Sequence, residues 1–221
     1  MSRCMIHASN NTKSATNDTP FNRAVMHASK VVTAGDTHGF GGALHFTVLG
    51  DSVYAAGTDG KRLNLASFPK DGEDVPPGLL GRIGAGNPWF RYVEKRKTSV
   101  VLEGRDYGMA FNWPRAIGLD EGSPPGMDAF LAAGHLYAGK VKLCADCLGN
   151  FMGEMGRYHN KYLDHRFLMD AVGGSPITVQ VFVDGSRLLL LDETHHPDRP
   201  LVHCIAFRHN MSLLTIVGGS A

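Results

Sequence analysis

The stretch DSVYAAGTDGKRLNLASFP, residues 51–69, constrains the fold more than any other part of the chain. Two apolar-rich runs, Val53–Ala56 and Leu63–Phe68, flank Thr58-Asp59-Gly60-Lys61-Arg62. Asp-Gly between such runs is a strong hairpin signal, because both residues tolerate the positive φ of a type I′ turn.

The rest of the chain reads as repeated units of helix and strand. Residues 9–19 are rich in Asn, Thr and Ser and read as coil, within a loose N-terminal segment over 1–19. Thr19-Pro20 then offers an N-cap and N1 pair. Phe21, Ala24, Val25, Ala28 and Val32 recur at helical spacing, which predicts a helix over about 20–32. Residues 41–48 (GGALHFTV) read as a strand leading into the hairpin. A second unit reads as a short strand over 79–85 and a helix from Asn87-Pro88 to about Arg96. A further hairpin (98–103 and 107–113) comes after it. Residues 116–134 are Pro/Gly-rich at their centre and read as a connector between a 20–115 domain and a 135–221 half domain with its tail. In the last part a strand over 140–143 precedes a helix. Cys144, Cys147, Leu148, Phe151, Met152 and Met155 share one of its faces. A hairpin over 177–183 and 187–192 turns at Asp184-Gly185, and 201–208 is a final strand. Each unit has an apolar helix face and an apolar sheet face, so each requires a second layer: an α+β architecture of helices packed on antiparallel sheets.

With 221 residues the chain has room for one large domain or about two small ones. It can bury roughly 70% of its unfolded surface without a disulfide or metal. Its 27 glycines favour many turns and short strands. The formal net charge is +1, which leaves nucleic-acid binding to a local basic face. No run of 18 apolar residues suggests a membrane span, and the polar start lacks a signal-peptide core, so the expected location is cytoplasmic. Cys4, Cys144, Cys147 and Cys204 are too scattered for a secreted disulfide framework.

Three segments resemble one family. The TDGKRL string with its flanks is similar to the ATDGHRLA segment of bacterial sliding clamps, the DNA polymerase III beta subunit family. FNRAVMHASKVVTAGDT through SFP resembles the first half of a clamp's second domain, and KTSVVLEGRDYGMAFNWP through DAF its second half. AGKVKLCADCLGNFMGEM through RPLVHCIAF resembles the closing half of the third domain, so the match runs from Phe21 to Phe207. The resemblance implies a DNA-clamp fold of repeated strand–helix–strand units and a non-enzymatic role in DNA replication or repair, with no cofactor. It also implies a surface pocket for peptide motifs of DNA polymerase or other replication proteins. Carried onto this chain, the pocket comprises Thr58, Gly60, Lys61, Arg62 and Leu63 with Ile205, Ala206 and Phe207. Leu63, Ile205 and Phe207 would form an apolar floor and Lys61 and Arg62 a polar rim. Lys61 stands where the family has His, Ile-Ala-Phe where it has Met-Pro-Met, and RHNMSLLTIVGGSA extends beyond the usual end. No counterpart of the first clamp domain is visible, so the expected assembly, if a homo-oligomer forms, differs from the family's two-subunit ring.

Clamps contact duplex DNA through Lys and Arg on helices, at phosphates and without base readout. The corresponding candidates are Arg23 and Lys30 on the first helix, Arg91, Lys95 and Arg96 on the second, and Arg157 after the third. An ordinary solvated face would carry the same charges. A competing reading builds a zinc module or a metal-dependent enzyme on Cys144 and Cys147 with His195, His196, His203 and Cys204. Against it, Cys144 and Cys147 fall on an apolar helix face, where free cysteine acts as a small hydrophobe. Asp192, Glu193, His195 and His196 could form an acid/base group, but they lie beside Pro197 and Pro200 without a nucleophile motif and read as a polar loop.

Overall fold

The computed structural model describes residues 5–8, 19–32, 43–76, 78–84, 89–96, 99–105, 112–120, 122–194 and 198–208. Internal contacts divide the chain into two units. The first comprises 1–59 and 63–113; the second comprises 114–221 together with Gly60–Arg62.

In the first unit, strands β1 (Met5–Ala8), β2 (Ala43–Leu49), β3 (Ser52–Thr58), β4 (Arg62–Pro69), β5 (Trp89–Arg96) and β6 (Ser99–Arg105) run in the order β1-β6-β5-β2-β3-β4. Every pairing is antiparallel. Helix α1 (Pro20–Ser29) begins as its sequence predicts: the Thr19 side chain accepts from Asn22 N at 3.3 Å, and Pro20 occupies the first turn. Asp74 adds a second cap by accepting from Phe21 N at 3.2 Å. Phe21, Ala24, Val25 and Ala28 are buried. The Phe21 ring meets Phe68 edge-on with centroids 5.1 Å apart. Gly57 on β3 is where the end of α1 comes closest to the sheet. A Cβ there would lie 2.1 Å from the Ala28 carbonyl oxygen, so only glycine permits this approach. Next to it, Asn64 Nδ2 donates to the His27 carbonyl at 3.1 Å and ties the helix end to β4.

The second unit contains α4 (Met127–Ala132), β7 (Leu136–Leu143), a 3-10 turn (Ala145–Cys147), α5 (Leu148–His159), α6 (His165–Val172), β8 (Ile177–Val183), β9 (Arg187–Asp192) and β10 (Leu201–Ala206). Its strands run in the order β10-β9-β8-β7. Leu188 to Leu191 are all buried, which is what a strand covered on both faces needs. One face (Val179, Val181, Val183, Leu188, Leu190, Ile205) packs with Leu148, Phe151 and Met155 of α5 and Phe167, Leu168 and Ala171 of α6. On the other face, Phe182, Leu189 and Cys204 stand in register. Phe130 of α4 packs against Phe182, their ring centroids 5.2 Å apart.

Several expectations are corrected. Residues 79–85 read as a strand and 88–96 as a helix; the structure reverses them. Leu79–Gly84 form helix α2, and Trp89–Arg96 form β5, paired with both β2 and β6. Asn87-Pro88 imitates a helix start, but the aromatic and β-branched residues after it suit a two-sided ladder. Trp113, read as the end of a strand, opens α3 (Trp113–Ala116), and 107–111 lie outside the described residues. Met5–Ala8, within the segment read as loose, pair with β6. The sequence-based expectations include neither α4 nor α6. The hairpin turn is not type I′ either. Gly60 has φ +83°, whereas the one non-glycine with positive φ among the described residues is Asn160. Thr58 pairs with Leu63 across a four-residue connection.

Candidate partner-binding site

The hairpin tip belongs to the second unit. Gly60–Arg62 reach the end of β10, where Ala206 N donates to the Lys61 carbonyl at 2.9 Å. Arg62 lies over the Phe167 ring, its guanidinium carbon 4.4 Å from the centroid, and forms an ion pair with Asp170. Both partners come from α6, one turn apart. The start of that helix is held by Asp164, whose carboxylate accepts from Arg166 N at 3.0 Å and Arg166 Nη2 at 2.7 Å. The Arg166 hydrogen bond outweighs burial and holds the Asp164 carboxyl at about 2. Beyond β10, Phe207 N donates to the Ser186 carbonyl at 3.0 Å and Arg208 N to the Tyr162 carbonyl at 2.8 Å. Lys161 Nζ stands 5.4 Å from the Phe207 ring and donates to the Gly185 carbonyl at 2.9 Å.

The eight expected pocket residues do not share one environment. Lys61 is exposed and Arg62 half-buried. Ile205 and Phe207 belong to the core under α5 and α6, and Ala206 is equally buried. Thr58 and Leu63 are buried in the first unit. The apolar side chains expected as an open floor are therefore core residues. Beside the turn, Lys61 and Asp170 are exposed and Arg62 is half-buried over the Phe167 ring; Tyr162, also exposed, follows α5 and accepts at its carbonyl from Arg208 N just past β10. Sequence reasoning missed Phe167, Asp170 and Tyr162. An amphipathic reading of HRFLMDAV could have found the helix, but not its meeting with Arg62.

The basic candidates separate similarly. On α1 Arg23 is half-buried, and Lys30 just past its end is exposed; Arg157 is exposed on α5. Arg91, Lys95 and Arg96 lie on β5 and not on a helix.

Cys144 and Cys147 are half-exposed and not core residues. Their sulfurs are 2.7 Å apart at the turn that leads into α5. Cys204 is fully buried, and burial pushes its thiol up to about 12. His203 is buried on β10, and His195 and His196 lie outside the described residues. Among the described residues no three His, Cys, Asp or Glu side chains are grouped as metal ligands. Asp192 accepts from Thr194 N at 2.9 Å. Glu193 binds Gln180 Nε2 at 2.6 Å and Lys140 Nζ at 3.4 Å, so both carboxylates serve the local fold. No helix among the described residues is long and apolar enough to cross a membrane.

No protein-family model matches the sequence, and no curated protein matches it. Solved structures do. The DNA polymerase III subunit beta of Borrelia burgdorferi, in complex with a natural product, aligns with a TM-score of 0.50 at 10% identity, covering 92% of this chain and 62% of that one. The Pseudomonas aeruginosa sliding clamp gives 0.47 at 11% identity, covering 93% and 66%. Caulobacter crescentus pol III beta gives 0.46 at 12%, covering 94% and 66%. The chain thus spans slightly less than two thirds of the length of these structures. The antiparallel sheets with helices packed on them, together with the Borrelia likeness, show that this chain has the α+β fold of the bacterial DNA sliding clamps.

Proposed function

We propose that this chain is a non-enzymatic, clamp-type binding protein of DNA replication or repair. It holds a short peptide segment of a polymerase-type partner against the surface formed by Lys61, Arg62 and α6. The observation that carries this reading is the join between the hairpin tip and the end of β10. That join carries the TDGKRL string, whose Arg62 is partly exposed and held over an aromatic ring. An arginine stacked on a ring keeps its planar fork oriented, so backbone carbonyls or acidic groups of a peptide meet preset donors. Asp170 occupies part of that fork and competes with an acidic ligand.

A synthetic peptide carrying a bacterial polymerase clamp-binding motif, titrated by calorimetry, tests the proposal. Arg62→Ala is expected to weaken binding about tenfold, equivalent to ~1.4 kcal/mol. Asp170→Ala is expected to strengthen binding of an acidic variant of the peptide. No heat or spectral change with the wild-type chain would remove the proposal.

Duplex DNA is the second expected partner. It would be held through phosphates by accessible basic side chains such as Arg23, Lys30 and Arg157, without sequence readout. This role is independent of the peptide surface, and the salt dependence of binding tests it separately.

A further inference from the structure

We propose that Cys144 and Cys147 form a reversible intrachain disulfide, which makes the β7–α5 corner a redox-sensitive site. The sulfurs lie 2.7 Å apart, and a bond requires about 2.05 Å, a gap that a small side-chain rotation closes. Cys144 is extended (φ −144°, ψ 163°) and Cys147 helical (φ −96°, ψ −5°), so the backbone already wraps one cysteine toward the other. A Cys-X-X-Cys at a helix start is the arrangement that dithiol–disulfide chemistry uses.

Several contacts hold the pair in place. Cys147 N donates to the Cys144 carbonyl at 3.1 Å, and Cys144 N donates to Cys147 Sγ at 2.8 Å. Both residues are half-exposed, so a reagent can reach them, whereas buried Cys204 is closed to one. The hydrogen bond from Cys144 raises the Cys147 thiol above its ordinary range, which favours Cys144 as the first nucleophile and Cys147 as the resolving thiol.

The oxidant is a low-molecular-weight disulfide. The Cys144 thiolate attacks one of its sulfurs, forming a mixed disulfide and releasing one thiolate. Cys147 gives its proton to solvent and attacks the Cys144 sulfur, releasing the second thiolate. Two electrons pass from the cysteine pair to the reagent, which leaves as two thiols. The new bond closes the turn between Leu143 and Leu148, both of which are in the core.

The full chain, equilibrated with oxidised and reduced glutathione at several ratios, then acid-quenched and digested, tests this. The expected result is a peptide containing both cysteines that has lost two hydrogens in mass, while Cys204 stays free. Dithiothreitol should restore both thiols. Cys147→Ser should stop at a glutathione adduct on Cys144. Three results would each overturn the proposal: both thiols free at every ratio, stable glutathione adducts on the wild type without the intrachain bond, or a bond from either cysteine to Cys4.

Discussion

Asp184 shows how one residue organises a turn. It comes directly after β8 and accepts from Ser186 N at 2.6 Å and Arg187 N at 2.7 Å. It also pairs with Arg187 Nε at 2.6 Å and faces His135 Nδ1 at 3.3 Å. His135 in turn donates from Nε2 to the Ile117 carbonyl at 2.8 Å, joining the segment after α3 to the β8–β9 turn. Burial opposes the charged carboxylate. The His135 contact, the two backbone donors and the Arg187 charge outweigh it and hold Asp184 well below the usual carboxylate range. A carboxyl depressed on folding stabilises the protein fully above its unfolded value, about 3.9, and ceases to do so as pH falls through the folded value. Asp184→Asn is therefore expected to cost on the order of 2 kcal/mol at neutral pH. Below about pH 4 the gap between the two proteins should narrow. Urea titrations at pH 7 and pH 3 measure it, and a constant gap would contradict this assignment. The Asp-Gly pair at 184–185 was legible in the sequence as a turn. The partners of Asp184 were not, because His135 and Arg187 lie far from it or on the other arm.

At the scale of elements, local signals and tertiary pairing disagreed in two places. Thr19-Pro20 and Asn87-Pro88 look alike in sequence, yet one opens α1 and the other precedes a strand. The difference lies in the residues after each proline. Apolar residues of α1 repeat at helical spacing, whereas WFRYVEKR can satisfy both of its edges only between β2 and β6. The second place is 116–134. Its Pro and Gly content reads as a connector, but Phe130 is fully buried against Phe182 of the second unit's sheet. Phe130→Ala is accordingly expected to destabilise the protein by about 3–5 kcal/mol, as for a large core truncation. A thermal melt showing a surface-like change would refute that role.

For the whole molecule, the formal net charge of +1 supplies no general attraction to DNA, so any binding must come from local basic surface. Removing a phosphate-contacting cation reduces the slope of log K against log salt by about 0.9. Arg23→Ala with Lys30→Ala is therefore expected to lower the slope for a short duplex by about 2, equally for unrelated sequences. Fluorescence anisotropy at several salt concentrations reads this directly, and an unchanged slope would exclude α1 as a DNA contact.

By itself the sequence determined the elements whose signals are local. These are the hairpin around Asp59-Gly60, the capped and periodic α1, the strands over 177–183 and 187–192, and the final strand, read as 201–208 and found as Leu201–Ala206. Turn chemistry, capping and periodicity act within a few residues and need no distant partner. Tertiary structure decided the rest. It made a strand of 89–96 by giving it two neighbours. It took Leu63, Ile205 and Phe207 into cores and left Lys61 and Arg62 at the surface. It also set Arg62 against Phe167 and Asp170, the latter 108 residues away along the chain. Those outcomes depend on which apolar faces meet, and only the folded chain supplies that.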